Sequence, residues 1–146
     1  MIMPMCENIA LGYRGYIASL PINGSRTPQH VQNLVIRNYA ERHALQFRLS
    51  ATEFAIPGCF LALDGLINDL SNIDGVILYS LFMLPPEPTS RRSLYDAFLA
   101  RGKSIHAATE NFSIITVDDT KRAEDVWKIS HVMADQPIDL NMLRTL

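Results

Sequence analysis

The sequence predicts an α/β domain: a mostly parallel sheet of four to five strands, covered by helices on both faces as a three-layer sandwich. Strand-like and helix-periodic segments alternate along the chain, the pattern of βαβ units with right-handed crossovers. The run Val76-Ile77-Leu78-Tyr79 is apolar without alternation, as in a central parallel strand buried on both sides. The 146 residues, 48% apolar and 19% charged, have the size and balance of one globular domain. Within 1–146, residues 1–9 read as an N-terminal extension and 134–146 as a tail.

The first strand is expected over Ala10 to Ser19, rich in aromatic and aliphatic side chains. Asn23-Gly24 then marks a turn. Thr27 suits a helix cap and Pro28 the first helical position, so a helix should run to about His43. Val31, Leu34, Val35 and Asn38 share one side, and Ile36, Tyr39 and Ala40 widen it. Leu45 to Leu49 reads as the second strand. Ser50-Ala51-Thr52-Glu53 matches a capping box, but Pro57-Gly58 follows, so a loop with one short turn is expected. A second helix spans Cys59 to Leu70, with Phe60, Leu61, Leu63, Leu66, Ile67 and Leu70 inward. The third strand lies within Asp74 to Ser80. A stiff apolar loop over Phe82 to Pro88 leads to a helix from Thr89 or Ser90 to Arg101, stopped by Gly102. Ser104 to Ala107 is the fourth strand and Phe112 to Val117 a fifth. Asp118 or Asp119 caps a last helix to about Met133, with Ala123, Val126, Trp127, Ile129 and Val132 apolar.

A net charge of -2 argues against a nucleic-acid partner, which calls for a basic excess. No apolar run approaches the length of a membrane span, and the N-terminus lacks the basic start of a secretory signal, so a cytoplasmic protein is expected. Cys6 and Cys59 form no CxxC pair, and His30, His43, His106 and His131 show no metal-ligand spacing with them. No cofactor motif and no metal site are expected.

Ligands of open parallel sheets bind beyond the carboxyl ends of the strands. That rule selects Ser19, Asn23, Ser25 and Arg26, with Gln29 and Gln32 in the first helical turn. It also selects Ser50, Thr52 and Glu53, then Ser80, then His106 and Glu110. The first helix offers N–H groups and a partial positive charge beside Arg26, a setting for phosphate or carboxylate. An ordinary capped helix explains the same residues. Glu53 is the best carboxylate for acid/base work, with His106 as partner. Glu53 equally suits a helix-start group, and His106 a core histidine. Ser19 or Ser80 is a nucleophile only with a base in hydrogen-bond reach. Arg14 lies in a strand pattern, where it needs a buried partner or an edge position. Arg14 and Asn33 complete the binding candidates. Arg91 and Arg92 open a helix against its dipole, to bind an acidic group or to face water.

Two resemblances cover much of the chain. Gly12 to Ile17, Pro28 to Arg37, Leu49 to Glu53 and Tyr79 to Pro85 resemble the sporadic carbohydrate cluster protein family, scattered among bacterial surface-polysaccharide gene clusters. This implies a role near sugar or O-antigen assembly. More loosely, residues 12 to 112 resemble the catalytic domain of serine recombinases (resolvases). Tyr16-Ile17 is similar to that family's first strand. Gln32, Ile36, Arg37, Tyr39 and Ala40 are similar to its Q-x-x-x-L-R-x-Y-A helix. Leu66, Asp69, Leu70 and Asp74 to Ile77 are similar to its L-x-x-D-L and D-x-V-V segments, and Leu94 to Glu110 to its last helix, strand and glutamate. This implies a resolvase-like, flavodoxin-like fold. The departures oppose strand exchange: Tyr16-Ile17-Ala18-Ser19-Leu20 replaces Y-x-R-V-S, and Leu81-Phe82-Met83-Leu84-Pro85-Pro86 replaces L-D-R-L-S-R, removing its arginines. A shared fold does not give a shared function.

The expected partner is therefore a small anionic sugar or sugar phosphate, bound by a cytoplasmic homo-oligomer with no nucleic-acid or membrane partner. If catalytic, it is a cofactor-independent isomerase, epimerase or lyase. The alternative is a self-associating scaffold using Leu81 to Pro86 and the tail. The enzyme reading requires Arg26, Gln29, Ser50 and Glu53 to converge in one pocket.

Overall fold

The structure, a computed structural model, describes residues 11–135. The expectations for the N-terminal extension, Cys6 and the tail beyond Asp135 lie outside the described residues. The strands are β1 (Tyr13–Ile17), β2 (Phe47–Thr52), β3 (Gly75–Leu78), β4 (Ser104–Ala107) and β5 (Phe112–Ile114). The helices are α1 (Gln29–Arg42), α2 (Leu61–Asn68), α3 (Pro88–Ala100) and α4 (Val117–Asp135), with short 3-10 turns at Leu70–Asn72 and Leu81–Met83. The sheet order is β2-β1-β3-β4-β5. The first four strands pair in parallel and β5 runs antiparallel to β4, so the five-stranded sheet is mixed but mostly parallel. A tight turn joins β4 to β5, where a parallel pairing would have needed a long crossover.

β3 is buried at every position, as its unbroken apolar run requires. One face carries α1, whose Ile36, Tyr39 and Ala40 pack with Ile17 and Ile77. The other carries a larger core containing Tyr16, Val76, Leu78 and Ile105 with Leu63 of α2, Leu94, Tyr95 and Phe98 of α3, and Ala123 and Trp127 of α4.

Several expected details change. The buried stripe of α1 is Gln32, Ile36, Tyr39 and Ala40, while Leu34 is 62% exposed. Pro28 occupies the cap position of α1, and the Thr27 hydroxyl meets the Tyr79 hydroxyl at 3.3 Å instead of capping. Leu61, expected inward on α2, is exposed, as are Ile129 and Val132 on α4. The second strand begins later and runs through Ser50 to Thr52, so no capping box forms there. Its register against β1 slips between Tyr13↔Phe47 and Gly15↔Ser50, which places one extra residue in β2. Arg14 Nε donates to the Leu49 carbonyl at this bulge. The fifth strand stops at Ile114 because Thr116 begins α4. The Thr116 hydroxyl accepts from the Asp119 N–H, and the Asp119 carboxylate accepts from the Ile115 and Thr116 N–H groups. This reciprocal cap replaces the expected capping by Asp118 or Asp119. Gly102, at φ 68°, closes α3 as expected.

Candidate functional site

Strand alternation decides which side chains can meet. Ser50 and Thr52 pair in register with Gly15 and Ile17, so they face α1, whereas Ala51 pairs with Tyr16 on the opposite face. Ser50 crosses above Gly15, where a Cβ would lie 2.2 Å from its hydroxyl, and donates to Asn33 Oδ1 of α1 at 2.6 Å. Gln29, one turn before Asn33, Arg37, one turn after it, and Arg48, Ser50 and Thr52 of β2 line a groove of about 440 Å³ between α1 and β2. The Arg37 guanidinium lies 5.4 Å from the Phe47 ring centroid, steadied by cation–π attraction. The groove is an open, polar trough carrying two arginines, two carboxamides and two hydroxyls.

A second concavity, about 320 Å³, opens at the carboxyl-end rim on the other face. It lies among the loops after β1 and β2, the 3-10 turn after β3, and α4. Glu53 is buried at its base. The backbone N–H of Glu53 still pairs with the Ile17 carbonyl, extending the ladder past Thr52. Its carboxylate accepts from the Tyr16 hydroxyl at 2.6 Å and from the N–H groups of Ala62 and Leu63 at 3.0 and 3.1 Å, with the Phe54 N–H at 3.1 Å and the Cys59 thiol at 3.8 Å. Burial pushes this carboxyl up, but the hydrogen bonds from Tyr16 and the backbone outweigh it and leave it below its usual range. Burial and the neighbouring Glu53 charge raise the Tyr16 hydroxyl well above its ordinary value. Glu53 is thus an ionised anchor at the start of α2, the helix-start role on a helix eight residues further on. Each of its oxygens is already engaged.

His106 is not its partner. It lies within β4, paired in register with Ile77, on the α1 face of the sheet. Its Nδ1 meets the Tyr39 hydroxyl at 2.8 Å and its Nε2 the Ser104 hydroxyl at 2.9 Å. Burial, and secondarily His43, lower its pKa to about 4. Between pH 6.5 and about 4 the unfolded chain therefore binds a proton that the folded chain refuses. Stability should fall by about 3 kcal/mol as pH drops through that window, with no further loss from this group below it. Urea unfolding of His106→Gln between pH 6.5 and 4.5 should show a flatter profile than the unsubstituted protein. Equal losses in both would remove His106 as the source.

The remaining candidates separate. Gln32 is fully buried and pins the loop after β1: its Nε2 donates to the carbonyls of Ala18 and Thr27 at 2.6 and 2.8 Å, and its Oε1 accepts from the Ala18 N–H at 3.1 Å. Ser80 donates to Glu110 at 2.9 Å and accepts from the Phe82 N–H, starting the 3-10 turn. Ser19 follows β1 at the rim, but its hydroxyl has no hydrogen-bond partner, and so no base, among the described residues. Arg26 is exposed ahead of α1 and lines neither concavity. Gln29, Asn33 and Ser50 therefore converge, while Glu53 lies across the sheet from them and Arg26 stays apart. Arg37, Arg48 and Thr52 complete the groove. Arg37 and Thr52 were in view in the sequence, but the bulge that sets the phase of Arg48 on β2 was not. Arg91 also finds an acidic group, Glu124 of α4, within the fold.

The solved N-terminal catalytic domain of TP901-1 integrase is similar in structure to this chain, with a TM-score of 0.57 and 21% identity over 84% of this chain and 97% of that one. The fold is resolvase-like. No family model and no curated protein matches the chain. At 21% identity the likeness concerns architecture alone. Ser19 lies two residues beyond β1, and none of the four residues before it is an arginine. Among the described residues no helix is long and apolar enough to cross a membrane.

Proposed function

We propose that the protein binds a small anionic sugar, of the sugar-phosphate class, in the groove between α1 and β2. The convergence of Gln29, Asn33 and Ser50 with Arg37 in one trough carries this reading. Carboxamides and a hydroxyl match sugar hydroxyls, which both donate and accept. A guanidinium offers paired donors to a phosphate or carboxylate. The resemblance to the carbohydrate cluster family supports the same ligand class, in surface-polysaccharide biosynthesis. The reading is binding rather than catalysis, because Glu53 is fully engaged, His106 is a core group, and Ser19 has no base.

Calorimetric titration with glucose 1-phosphate, glucose and inorganic phosphate tests it. The sugar phosphate should bind more tightly than either fragment, and affinity should fall with added salt. Arg37→Ala should weaken binding about 10- to 100-fold, the range expected when a charge-assisted hydrogen bond is lost. Ser50→Ala should weaken it by a smaller factor. Absence of binding by any anionic sugar tried, or an Arg37→Ala variant that binds unchanged, sinks the assignment.

A further inference from the structure

We propose that Gly15, which touches no ligand, is the positioning residue of the groove between α1 and β2: by leaving room for Ser50 it holds Asn33 as a fixed hydrogen-bond donor beside Arg37, and that pair takes the ligand's anionic group. This rests on the groove being an anionic-sugar site and assigns the end that holds the charge. Gly15 is buried in the middle of β1, paired with Ser50 on one side and Ile77 on the other. It is not among the glycines with positive φ, so its backbone conformation is open to other residues. Glycine weakens a strand interior and marks places where another group approaches closely. Here that group is the Ser50 side chain. A Cβ on Gly15 would overlap the Ser50 hydroxyl and stand 3.1 Å from both the Ser50 Cβ and the Phe47 Cε2.

What depends on that space lies in the groove. The Ser50 hydroxyl spends its one hydrogen on Asn33 Oδ1, at 2.6 Å. The acceptor of the Asn33 amide is thereby engaged, and its Nδ2 is left as a donor without a partner among the described residues. Arg37, four residues on, shares that side of α1. Its guanidinium stands over the Phe47 ring, the second side chain that closes on Gly15. No acidic side chain lines the groove. Two neighbouring donors, one of them charged, suit the acceptor oxygens of a phosphate or carboxylate, whereas a sugar hydroxyl also needs an acceptor for its own hydrogen. Gln29, one turn before Asn33, offers both a carbonyl and an NH2 with no partner among the described residues, which sets the sugar at that end.

Gly15→Ala forces the Ser50 hydroxyl into another rotamer and so releases Asn33 without removing any side chain of the groove. Calorimetric titration of the full-length protein should show glucose 1-phosphate and inorganic phosphate weakened alike, by about three- to tenfold, the range for one lost hydrogen bond. The thermal midpoint should stay within about 4 °C of the unsubstituted protein, because a serine hydroxyl moves cheaply. In a Ser50→Ala background the same substitution should weaken binding less than about twofold, since the contact it acts through is already gone. Asn33→Asp keeps the acceptor for Ser50 and puts a charged oxygen where the free donor stood. It should weaken phosphate at least about thirtyfold. The role of Gly15 is overturned if folded Gly15→Ala binds glucose 1-phosphate unchanged, or loses as much affinity with Ser50→Ala present as without it. Unchanged phosphate binding by Asn33→Asp overturns the placing of the anion, whether or not Gly15→Ala folds. If the unsubstituted protein binds neither glucose 1-phosphate nor phosphate, the assignment of the groove falls first and takes this one with it.

Discussion

Glu53→Ala should destabilise the protein by about 3–4 kcal/mol, among the largest effects of any single substitution in the fold. The carboxylate is 6% exposed and collects the Tyr16 hydroxyl and the N–H groups of Phe54, Ala62 and Leu63. Alanine leaves those donors without an acceptor at a site water reaches poorly, and strips α2 of the negative charge at its N-terminus. Glu53→Gln keeps one acceptor oxygen and should lose about half as much. The ionised form is the one the fold favours, so this stabilisation is present above the usual carboxylate range and is lost as pH falls through the lowered pKa. Urea unfolding at pH 7 measures both variants. A loss under about 1 kcal/mol for Glu53→Ala would mean that the rim rearranges without it, contrary to its placement as an anchor.

Removal of Arg91 should have a comparable effect. Its guanidinium is 3% exposed and makes a two-pronged contact with Glu124 at 2.7 and 2.8 Å. It also donates to the carbonyls of Pro85 and Pro86, at 3.1 and 2.8 Å, and lies over Trp127. One side chain thus ties the loop before α3 to α4. Arg91→Ala breaks a buried pair and opens a cavity, for a loss of about 3 kcal/mol, at the lower end for such pairs because Glu124 keeps partial access to water. For a chain of this size that corresponds to a fall in Tm of about 6–12 °C. Arg91→Met combined with Glu124→Leu should recover part of the loss, since an apolar pair fills the space without a stranded charge. If the double substitution is no better than Arg91→Ala, the pair's charge is not what the fold depends on.

Legibility followed the range of the interactions involved. β4 over Ser104 to Ala107 and the stop of α3 at Gly102 were readable because local chain chemistry sets them. The face of α1 was not. Gln32 heads its buried stripe, and its burial is favourable only because the Ala18 backbone and the Thr27 carbonyl satisfy its amide. A count of apolar residues therefore turned the helix toward Leu34. The convergence of Gln29 and Ser50 followed from the carboxyl-end rule, but the separation of Glu53 from them did not. It depends on strand alternation across the end of β2, where one position sends Thr52 to one face and Glu53 to the other.

By itself the chain's pattern determined the α/β class, the four helices and the central place of β3, and brought the strand count to four or five, because each rests on periodicity and turn chemistry within short windows. Tertiary structure alone decided the antiparallel β5, the bulge in β2, the pairing of Arg91 with Glu124 and the placing of His106 opposite Glu53. The direction of β5 follows from the tight turn after β4; the others are settled by contacts between residues tens of positions apart, where the energy of a satisfied buried polar group outweighs any local preference.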